Sequence, residues 1–207
     1  MSTLVLNVGN TSLFGGVCAG SRIGRRFRVP VREAAEPHGF KKLVVDRVRG
    51  PFDAVALCSV VPALTETFVR QIETTWGCTP QLLTAAADHG LEIGYRRPHE
   101  LGTDRLAAAV GARALFPRRN VIVVDCGTAT TVTALTRAGR IAGGAILPGL
   151  ALWSEMLALR TAQLPEVLPV RRPAPLGRSP REAIASGLFH GHAGAIRELV
   201  QVVARDA

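Results

Sequence analysis

The chain has 207 residues, of which 47% are hydrophobic, so it can bury the core of one compact unit or of two small lobes. No apolar run reaches membrane-spanning length and no leader precedes the first strand, which argues against membrane insertion and export and favours the cytoplasm. The formal net charge is +9, almost all of it from arginine. The basic pairs are scattered and have no interleaved aromatics, so nucleic-acid binding is not expected. A solvated basic surface is favoured, followed by attraction of anionic substrates.

The four cysteines, Cys18, Cys58, Cys78 and Cys126, are widely spaced and contain no Cys-x-x-Cys pair. This spacing predicts free, buried thiols in a reducing cytoplasm and no zinc site.

Strands and helices alternate through the first half of the chain. Apolar and β-branched patterns predict strands near 3–8, 12–19 and 23–30, a helix within 38–49, a strand at 52–60, a helix at 63–76 and a strand at 81–84. Leu64, Phe68 and Ile72 share one face of the second helix, which Pro62 opens. The order describes a complete βββαβαβ lobe, so residues 1–87 are assigned to a first domain.

A linker and a helix rich in small residues follow. Residues 88–101 contain glycine and proline and predict a linker, and residues 102–115 predict a helix that Pro117 stops. Asp104 lies at the helix N-terminus, where a carboxylate satisfies free N–H groups and is favoured by the helix dipole. From the residues alone, a plain helix cap explains Asp104 as well as a functional role does. Arg105 is available for an anionic ligand.

The second half opens with the apolar run Val121–Val124, which predicts a buried strand, and Asp125-Cys-Gly-Thr128 then breaks it with a turn. A glycine between two strands lets backbone N–H groups approach bound phosphate, and a carboxylate at the strand end can hold a cation. An ordinary hairpin with an Asp-Gly-type turn explains this stretch equally well.

The same layout occurs near the N-terminus. Asn7 stands where Asp125 stands, Gly9 stands where Gly127 stands, and a second strand follows each turn. Internal repeats of this size predict a duplicated domain with its ligand between the two halves.

The remaining pattern predicts strands at 130–137 and 140–146, a helix at 150–159, a proline-rich loop at 164–179 and a last helix capped by Ser179-Pro-Arg-Glu182. His190 and His192 lie in this helix without an acidic or cysteine partner nearby, so we expect structural or surface roles. The closing strands of the first lobe have no counterpart here. Residues 88–207 are therefore assigned to the linker, the helix and a truncated second lobe.

Two lobes that each open with three strands and a phosphate turn resemble the actin/hexokinase/Hsp70-like ATPases, and within them the chain resembles the type III pantothenate kinases. The segments that carry this resemblance cover nearly the whole chain. They are Asn7-Val-Gly-Asn-Thr11, Ser59-Val-Val-Pro62, Tyr95-x-x-Pro98, Glu100-Leu-Gly-Thr-Asp-Arg105, Val124-Asp-Cys-Gly-Thr-Ala-Thr-Thr131, Gly143-Gly-Ala-Ile-Leu-Pro-Gly149, Thr161-Ala-x-Leu-Pro165 and Ala183-Ile-Ala-Ser-Gly187. The expected fold class is α/β, with duplicated actin/ribonuclease-H-like lobes, mixed sheets and an incomplete second lobe.

The resemblance implies ATP-dependent phosphorylation of pantothenate to 4'-phosphopantothenate, the first step towards coenzyme A, by a homodimer. Asp104 would be the general base, and Asp125 would hold a monovalent cation, potassium or ammonium, beside an Mg²⁺–ATP substrate. The other implied contacts are Asn7, Gly9, Asn10, Thr11, Ser12 and Thr128 for ATP, and Tyr95, Gly102, Thr103 and Arg105 for pantothenate. Phosphoryl transfer depends on positioning and charge neutralisation, which glycine turns, a cation and one base can supply.

The chain departs from the family pattern in three ways. Asn7 replaces an aspartate associated with the Mg²⁺–phosphate complex, and loss of the charge weakens metal affinity. Pro180 replaces a threonine that reaches the substrate. The family chain also normally continues through further strands of the second lobe. These departures favour an alternative, a degenerate, non-catalytic homologue with a binding or regulatory role, whereas the intact Gly102-Thr-Asp-Arg105 segment favours the kinase. A nucleic-acid-binding protein is a third hypothesis, supported by charge alone.

Overall fold

The computed structural model describes residues 2–20, 22–48, 50 and 52–207. The chain divides into two compact units, each with strands and helices. The first unit combines Met1–His89 with Arg97–Ala107, and the second combines Gly90–Arg96 with Ala108–Ala207. The predicted domain boundary at residues 87 and 88 stays a prediction, because the linker region contributes to both units.

The first unit contains a five-stranded mixed sheet in the order β3-β2-β1-β4-β5. Its strands are β1 (Ser2–Val8), β2 (Ser12–Ala19), β3 (Arg22–Pro30), β4 (Ala54–Ser59) and β5 (Gln81–Leu82). Strand β1 pairs antiparallel with β2 and parallel with β4, so the sheet changes direction at β1. The predicted order of three strands, a helical segment, a strand, a helix and a strand is confirmed.

The described residues of this unit also form the helices α1 (Val31–Ala35), α2 (Pro37–Leu43) and α3 (Pro62–Trp76) and two short 3₁₀ helices, Val45–Arg47 and Pro98–Glu100. Leu4, Leu6 and Val8 alternate along β1 and are fully buried, in one core cluster with Phe68 and Ile72 of α3. The alternation of β1 and the helical spacing of α3 therefore bury matching apolar faces against each other.

The predicted helix at 38–49 is wrong in its bounds. Helices α1 and α2 cover Val31–Leu43 with a break at Glu36, whose backbone is extended. Proline disfavours a helical conformation in the residue before it and is well placed at the first helical position. Pro37 therefore ends α1 and opens α2.

The second unit contains a four-stranded mixed sheet in the order β6-β9-β8-β7. Its strands are β6 (Glu92–Ile93), β7 (Val121–Cys126), β8 (Ala129–Leu135) and β9 (Arg140–Pro148). The helices after this sheet are α5 (Leu150–Arg160), α6 (Pro180–Ser186) and α7 (His192–Asp206), with a π-helical turn at Gly187–Gly191 between the last two. Helix α4 (Thr103–Leu115) runs from the first unit into the second.

Two expectations for the second unit are wrong. Residues 88–101 are not a plain linker, because Glu92 and Ile93 pair in parallel with β9; a two-residue strand has no periodicity that a sequence pattern could reveal. The run Val121–Val124 is not buried: its first three residues are half-buried and Val124 is 37% exposed. Within the described residues, β7 is an edge strand that pairs only with β8.

None of the helices in the described part of the chain combines the length and hydropathy needed to cross a bilayer.

Candidate functional site

The first predicted phosphate turn joins β1 to β2 through Gly9, Asn10 and Thr11. The Gly9 N–H donates to the carbonyl of Ser12 at 3.0 Å and closes the turn. A Cβ atom at Gly9 would lie 3.1 Å from that same carbonyl, so glycine allows this close approach. Asn10 and Thr11 are exposed at the tip.

Asn7, just before this turn, has a buried side-chain oxygen. Its Oδ1 atom has no hydrogen-bond partner among the described residues. A buried polar atom without a partner is costly in a native structure. The atom is a neutral oxygen able to accept a hydrogen bond or to ligate a hard cation such as Mg²⁺, so this position fits such an ion through one uncharged ligand.

Ser12, at the exit of the turn, is 7% exposed. Its Oγ accepts a hydrogen bond from Arg28 Nε at 3.0 Å, and the Arg28 guanidinium lies 5.2 Å from the centre of the Phe14 ring. The hydroxyl predicted to contact ATP is thus held in place by a side chain of β3.

The predicted base, Asp104, lies in the first turn of α4. Asp104 is the second helical residue, so it is not the N-cap; its Oδ1 accepts a hydrogen bond from the Arg105 N–H at 2.7 Å, and the helix dipole favours a carboxylate at this end. A Cβ atom at Gly102 would lie only 2.6 Å from Asp104 Oδ1. Gly102 therefore leaves room for this carboxylate, and its carbonyl accepts the first helical hydrogen bond, from Leu106 N–H, at 3.0 Å.

The first turn and the start of α4 meet at the carboxyl ends of two neighbouring strands. Val8, the last residue of β1, lies beside Ser59, the last residue of β4. The Thr103 hydroxyl donates to the Ser59 carbonyl at 2.6 Å and fixes α4 to this edge. The carboxyl edge of a parallel strand pair is where ligands bind in α/β sheets.

Cys58 also lies at this edge, paired in register with Asn7. Burial raises the pKa of the Cys58 thiol; a hydrogen bond with Thr103 opposes this, and the negative charge of Asp104 adds to it. A thiol with a raised pKa stays protonated and unreactive. Cys58 is therefore an uncharged side chain close to Asp104.

Arg105 is 6% exposed, so its side chain is buried and is not a surface group awaiting a ligand. Its predicted contact with pantothenate stays a prediction.

The second predicted turn joins β7 to β8 through Gly127 and Thr128. Gly127 N–H donates to the Ala129 carbonyl at 3.0 Å, and Gly149 N–H donates to the Thr128 carbonyl at 2.9 Å. A Cβ atom at Gly149 would lie 2.1 Å from the Gly127 carbonyl oxygen, which no side chain could tolerate. The start of α5 is thus packed directly against the turn.

Asp125, near the end of β7, and Thr128, within the turn, are exposed, and Tyr95 is half-buried after β6. These three residues belong to the second unit, whereas the other predicted site residues belong to the first. The described residues contain no group of three histidine, cysteine or acidic side chains that could hold a metal ion. The carboxylate of Asp125 is an oxygen donor of the kind that hard cations prefer.

Sequence reasoning missed the supports behind the predicted base. Cys58 and Ser59 lie more than 40 residues before Asp104, and no local pattern connects them with it. Ser59 did carry a signal, because it opens the Ser59-Val-Val-Pro62 segment at the start of α3. Its Oγ accepts hydrogen bonds from Thr65 Oγ1 at 2.8 Å and from Val61 N–H at 3.2 Å.

Comparison with known proteins gives a consistent result. The family model for type III pantothenate kinase matches residues 3–202. A type III pantothenate kinase of Legionella pneumophila (strain Corby) is 39% identical over 209 residues, which cover 99% of this chain and 82% of the relative. The type III pantothenate kinase 1 of Francisella tularensis subsp. holarctica (strain OSU18) is 36% identical over 97% of this chain and 81% of its own length.

A solved structure of a conserved Baf family protein from Campylobacter jejuni has the same fold. Its TM-score is 0.59 at 17% identity, over 95% of this chain and 78% of that one. The predicted α/β class with two mixed sheets is therefore confirmed. With a family match over almost its full length and two relatives above 30% identity, the chain belongs to the type III pantothenate kinase family.

Proposed function

We propose that the protein transfers the γ-phosphoryl group of ATP to the terminal hydroxyl of pantothenate, giving 4'-phosphopantothenate and ADP. Family membership supports the reaction. The structural observation that supports it best is the meeting of the first glycine turn with the start of α4 at the carboxyl ends of β1 and β4. This edge offers a turn of backbone N–H groups and a carboxylate, Asp104, the two groups that phosphoryl transfer to a hydroxyl needs most.

In the proposed mechanism, Asp104 accepts the hydroxyl proton as the pantothenate oxygen attacks the γ-phosphorus. The bond between that phosphorus and the bridging oxygen breaks, and ADP leaves with the electron pair. The hydrogen bond from Arg105 N–H holds one carboxylate oxygen, so the other oxygen can take the proton. The neutral Cys58 thiol adds no further charge behind the base.

The remaining assignments extend this scheme. Gly102, Thr103, Arg105 and Tyr95 bind pantothenate, and Asn7, Gly9, Asn10, Thr11, Ser12 and Thr128 bind ATP. For the first turn the support is its glycine geometry and the buried hydroxyl of Ser12, held by Arg28.

Two cations complete the proposal. Asn7 Oδ1, buried without a partner among the described residues, supports a role near Mg²⁺, and the exposed carboxylate of Asp125 supports a potassium or ammonium site. Bound cations supply positive charge that offsets the charge of the transferring phosphate.

We further propose that the protein is a homodimer in the cytoplasm. Its four cysteines are free thiols, as is usual in a reducing compartment. The second unit carries an apolar groove of about 840 Å³ between α5 and α6, lined by Trp153, Met156, Leu157, Ile184 and Leu188 among others. Apolar surface of this kind is typical of protein interfaces.

The direct test of the reaction measures ADP release with ATP, pantothenate, Mg²⁺ and potassium present. We expect pantothenate-dependent release by the wild type, and a roughly 100- to 10,000-fold lower kcat in Asp104→Asn, because the amide cannot accept the proton. Asp46→Asn, which removes an exposed carboxylate outside the site, serves as control and should retain full activity.

Wild-type protein that releases no ADP in response to pantothenate would contradict the proposal. The alternative of a non-catalytic homologue has no support in the family match or in the names of the relatives. It predicts that nucleotide still binds while turnover is absent.

A further inference from the structure

His192 is a buried histidine that the proposed reaction does not use. It is 5% exposed and opens α7, directly after the π-helical turn. A π-helical turn inserts one residue and so rotates all following side chains by roughly 100° around the helix axis. This irregular turn therefore determines the direction in which the imidazole of His192 points.

The imidazole lies within hydrogen-bond distance of the residue that leaves the second phosphate turn. His192 Nε2 lies 3.0 Å from the Oγ1 atom of Thr130, which is fully buried. Thr130 pairs with Cys126 across the turn, so the two residues flank Gly127 and Thr128. The hydrogen bond that fixes the Thr130 side chain therefore also fixes the strand that leaves the turn.

The same imidazole also contacts the element that holds the other side of this turn. The Trp153 ring of α5 packs edge-on against His192, with ring centres 5.7 Å apart. Trp153 N–H donates to the Gly149 carbonyl at 3.0 Å, and Gly149 N–H donates to the Thr128 carbonyl. The contacts thus form a closed ring from the turn through Gly149, Trp153 and His192 to Thr130.

The first turn has an equivalent support. Ser12 follows Asn7 by five positions, as Thr130 follows Asp125, and both hydroxyls are buried. Ser12 is held by Arg28 and Thr130 by His192, two unrelated side chains from different elements. The two turns thus hold the hydroxyl of the equivalent residue, Ser12 or Thr130, through different side chains. This indicates that a fixed position of that residue is important for the geometry of the turn.

Burial also lowers the pKa of His192, so the ring is neutral at pH 7. A neutral imidazole has one donor and one acceptor nitrogen and can accept from, or donate to, a hydroxyl.

From this arrangement we propose that His192 is a positioning residue, which sets the geometry of the Asp125–Thr128 turn through Thr130 and thereby the affinity for ATP. The inference rests on the proposed kinase function. It adds a residue that touches neither nucleotide nor pantothenate and acts only through the turn.

The test compares the effect of each substitution on the KM for ATP with its effect on the KM for pantothenate. His192→Phe keeps an aromatic ring beside Trp153 but loses the hydrogen bond, and Thr130→Val removes the hydroxyl with little change of volume. Each should raise the KM for ATP about tenfold and leave the KM for pantothenate within about twofold of the wild-type value. The double variant should be no worse than either single variant, because both remove one interaction.

Conservative replacements supply the rescue. Thr130→Ser keeps a hydroxyl and His192→Gln keeps a side-chain nitrogen near the Nε2 position, so both should lie closer to wild type in KM for ATP. His190→Gln is the matched control, because His190 is exposed two positions away and contacts the Pro173 carbonyl instead. It should leave both KM values unchanged.

Calorimetric titration with a non-hydrolysable ATP analogue provides a second readout that needs no turnover. A parallel tenfold loss of affinity in His192→Phe and Thr130→Val supports the inference even if pantothenate is not the acceptor. Unchanged analogue affinity and unchanged KM for ATP in both folded variants would overturn it, as would an equal rise of both KM values. A wild type that binds the analogue without pantothenate-dependent turnover would contradict the proposed function instead. If His192→Phe does not fold, Thr130→Val against Thr130→Ser decides the question.

Discussion

Asn7 shows how one side chain can alter the chemistry of a turn whose backbone is arranged as a phosphate loop requires. The turn that follows it has the close glycine packing expected of a phosphate loop, and the Asn7 Oδ1 atom is buried without a partner in the described part of the chain. An amide oxygen can ligate a cation but brings no charge, so Mg²⁺ affinity at this position depends on other ligands.

Asn7→Asp should therefore change two properties in opposite directions. With a carboxylate present, half-maximal activity should require about tenfold less Mg²⁺, since ligand charge raises affinity for a hard cation. Without Mg²⁺ the variant should be less stable than wild type, because it buries an unpaired carboxylate. A titration of ADP release with Mg²⁺ and thermal unfolding with and without the ion measure both effects.

Asn120→Asp is a suitable control for the added charge. Asn120 Oδ1 accepts from Arg137 N–H at 2.7 Å outside the proposed site, and a carboxylate can accept the same bond. This variant should change neither property. An Asn7→Asp protein with wild-type Mg²⁺ dependence would remove Asn7 from the proposed metal environment.

Residue by residue, the sequence predicted best where chemistry is local. Gly9, Asp104 and Gly127 stand out because turn and helix-start patterns span only a few positions, and the structure places each in the expected local geometry. Contacts between residues that are far apart in the sequence could not be predicted in this way. His192 contacts a residue 62 positions earlier, and nothing in either segment marks the pairing.

Among the elements, hairpins were predicted most closely. The strand pairs β1–β2 and β7–β8 have β-branched or apolar runs on both sides of a glycine turn, which specify both strand and register. The predicted helix bounds were wrong where a proline determines them, as at Pro37. The strand Glu92–Ile93 was missed because only its pairing with β9 defines it.

The proline-rich loop after α5 is irregular, as predicted, and the buried side chain of Ser154 is hydrogen-bonded to it at Val167. Ser154 Oγ donates to the Val167 carbonyl at 2.7 Å and accepts from the Val167 N–H at 2.8 Å. One hydroxyl thus satisfies both backbone groups of a buried residue in a segment without helix or strand.

Ser154→Ala should lower the free energy of unfolding by about 1–3 kcal/mol, because it leaves two buried backbone groups without partners. Urea denaturation followed by circular dichroism measures the change. Thr161→Ala removes an exposed hydroxyl that donates to the Leu157 carbonyl and accepts from the Leu164 N–H, and it should cost less than about 1 kcal/mol because water can replace it for both groups. Equal losses in the two variants would contradict the anchoring role of Ser154.

On the scale of the whole molecule, apolar surface distinguishes the second unit. Met156 and Leu157 line the groove between α5 and α6 and are 36% and 37% exposed, and Leu159 of α5 is 66% exposed. A stable dimer usually buries roughly 1,200–2,000 Å² in total, with an apolar centre of this kind.

Met156→Glu should therefore weaken the proposed homodimer, because a carboxylate in an apolar interface is costly to bury. Sedimentation velocity or light scattering should show a dimer for wild type and a shift towards monomer for the variant. Leu82→Glu places the same charge at an exposed apolar position of the first unit and should stay dimeric. A monomeric wild type at micromolar concentration would contradict the dimer, and a dimeric Met156→Glu would place the interface elsewhere.

The copy of the turn that contains Asp125 responds to acid through the histidine that supports it. In the first copy the Ser12 hydroxyl is held by the guanidinium of Arg28, whereas in the second copy the Thr130 hydroxyl is held by the imidazole of His192. The folded second copy resists protonation of His192, since burial lowers its pKa, whereas the unfolded chain takes up that proton below about pH 6.5. Stability from this residue is complete near neutrality and decreases as the pH falls. The repeated turn is thus supported at the same position by two different side chains, and the copy that contains Asp125 depends on a neutral imidazole.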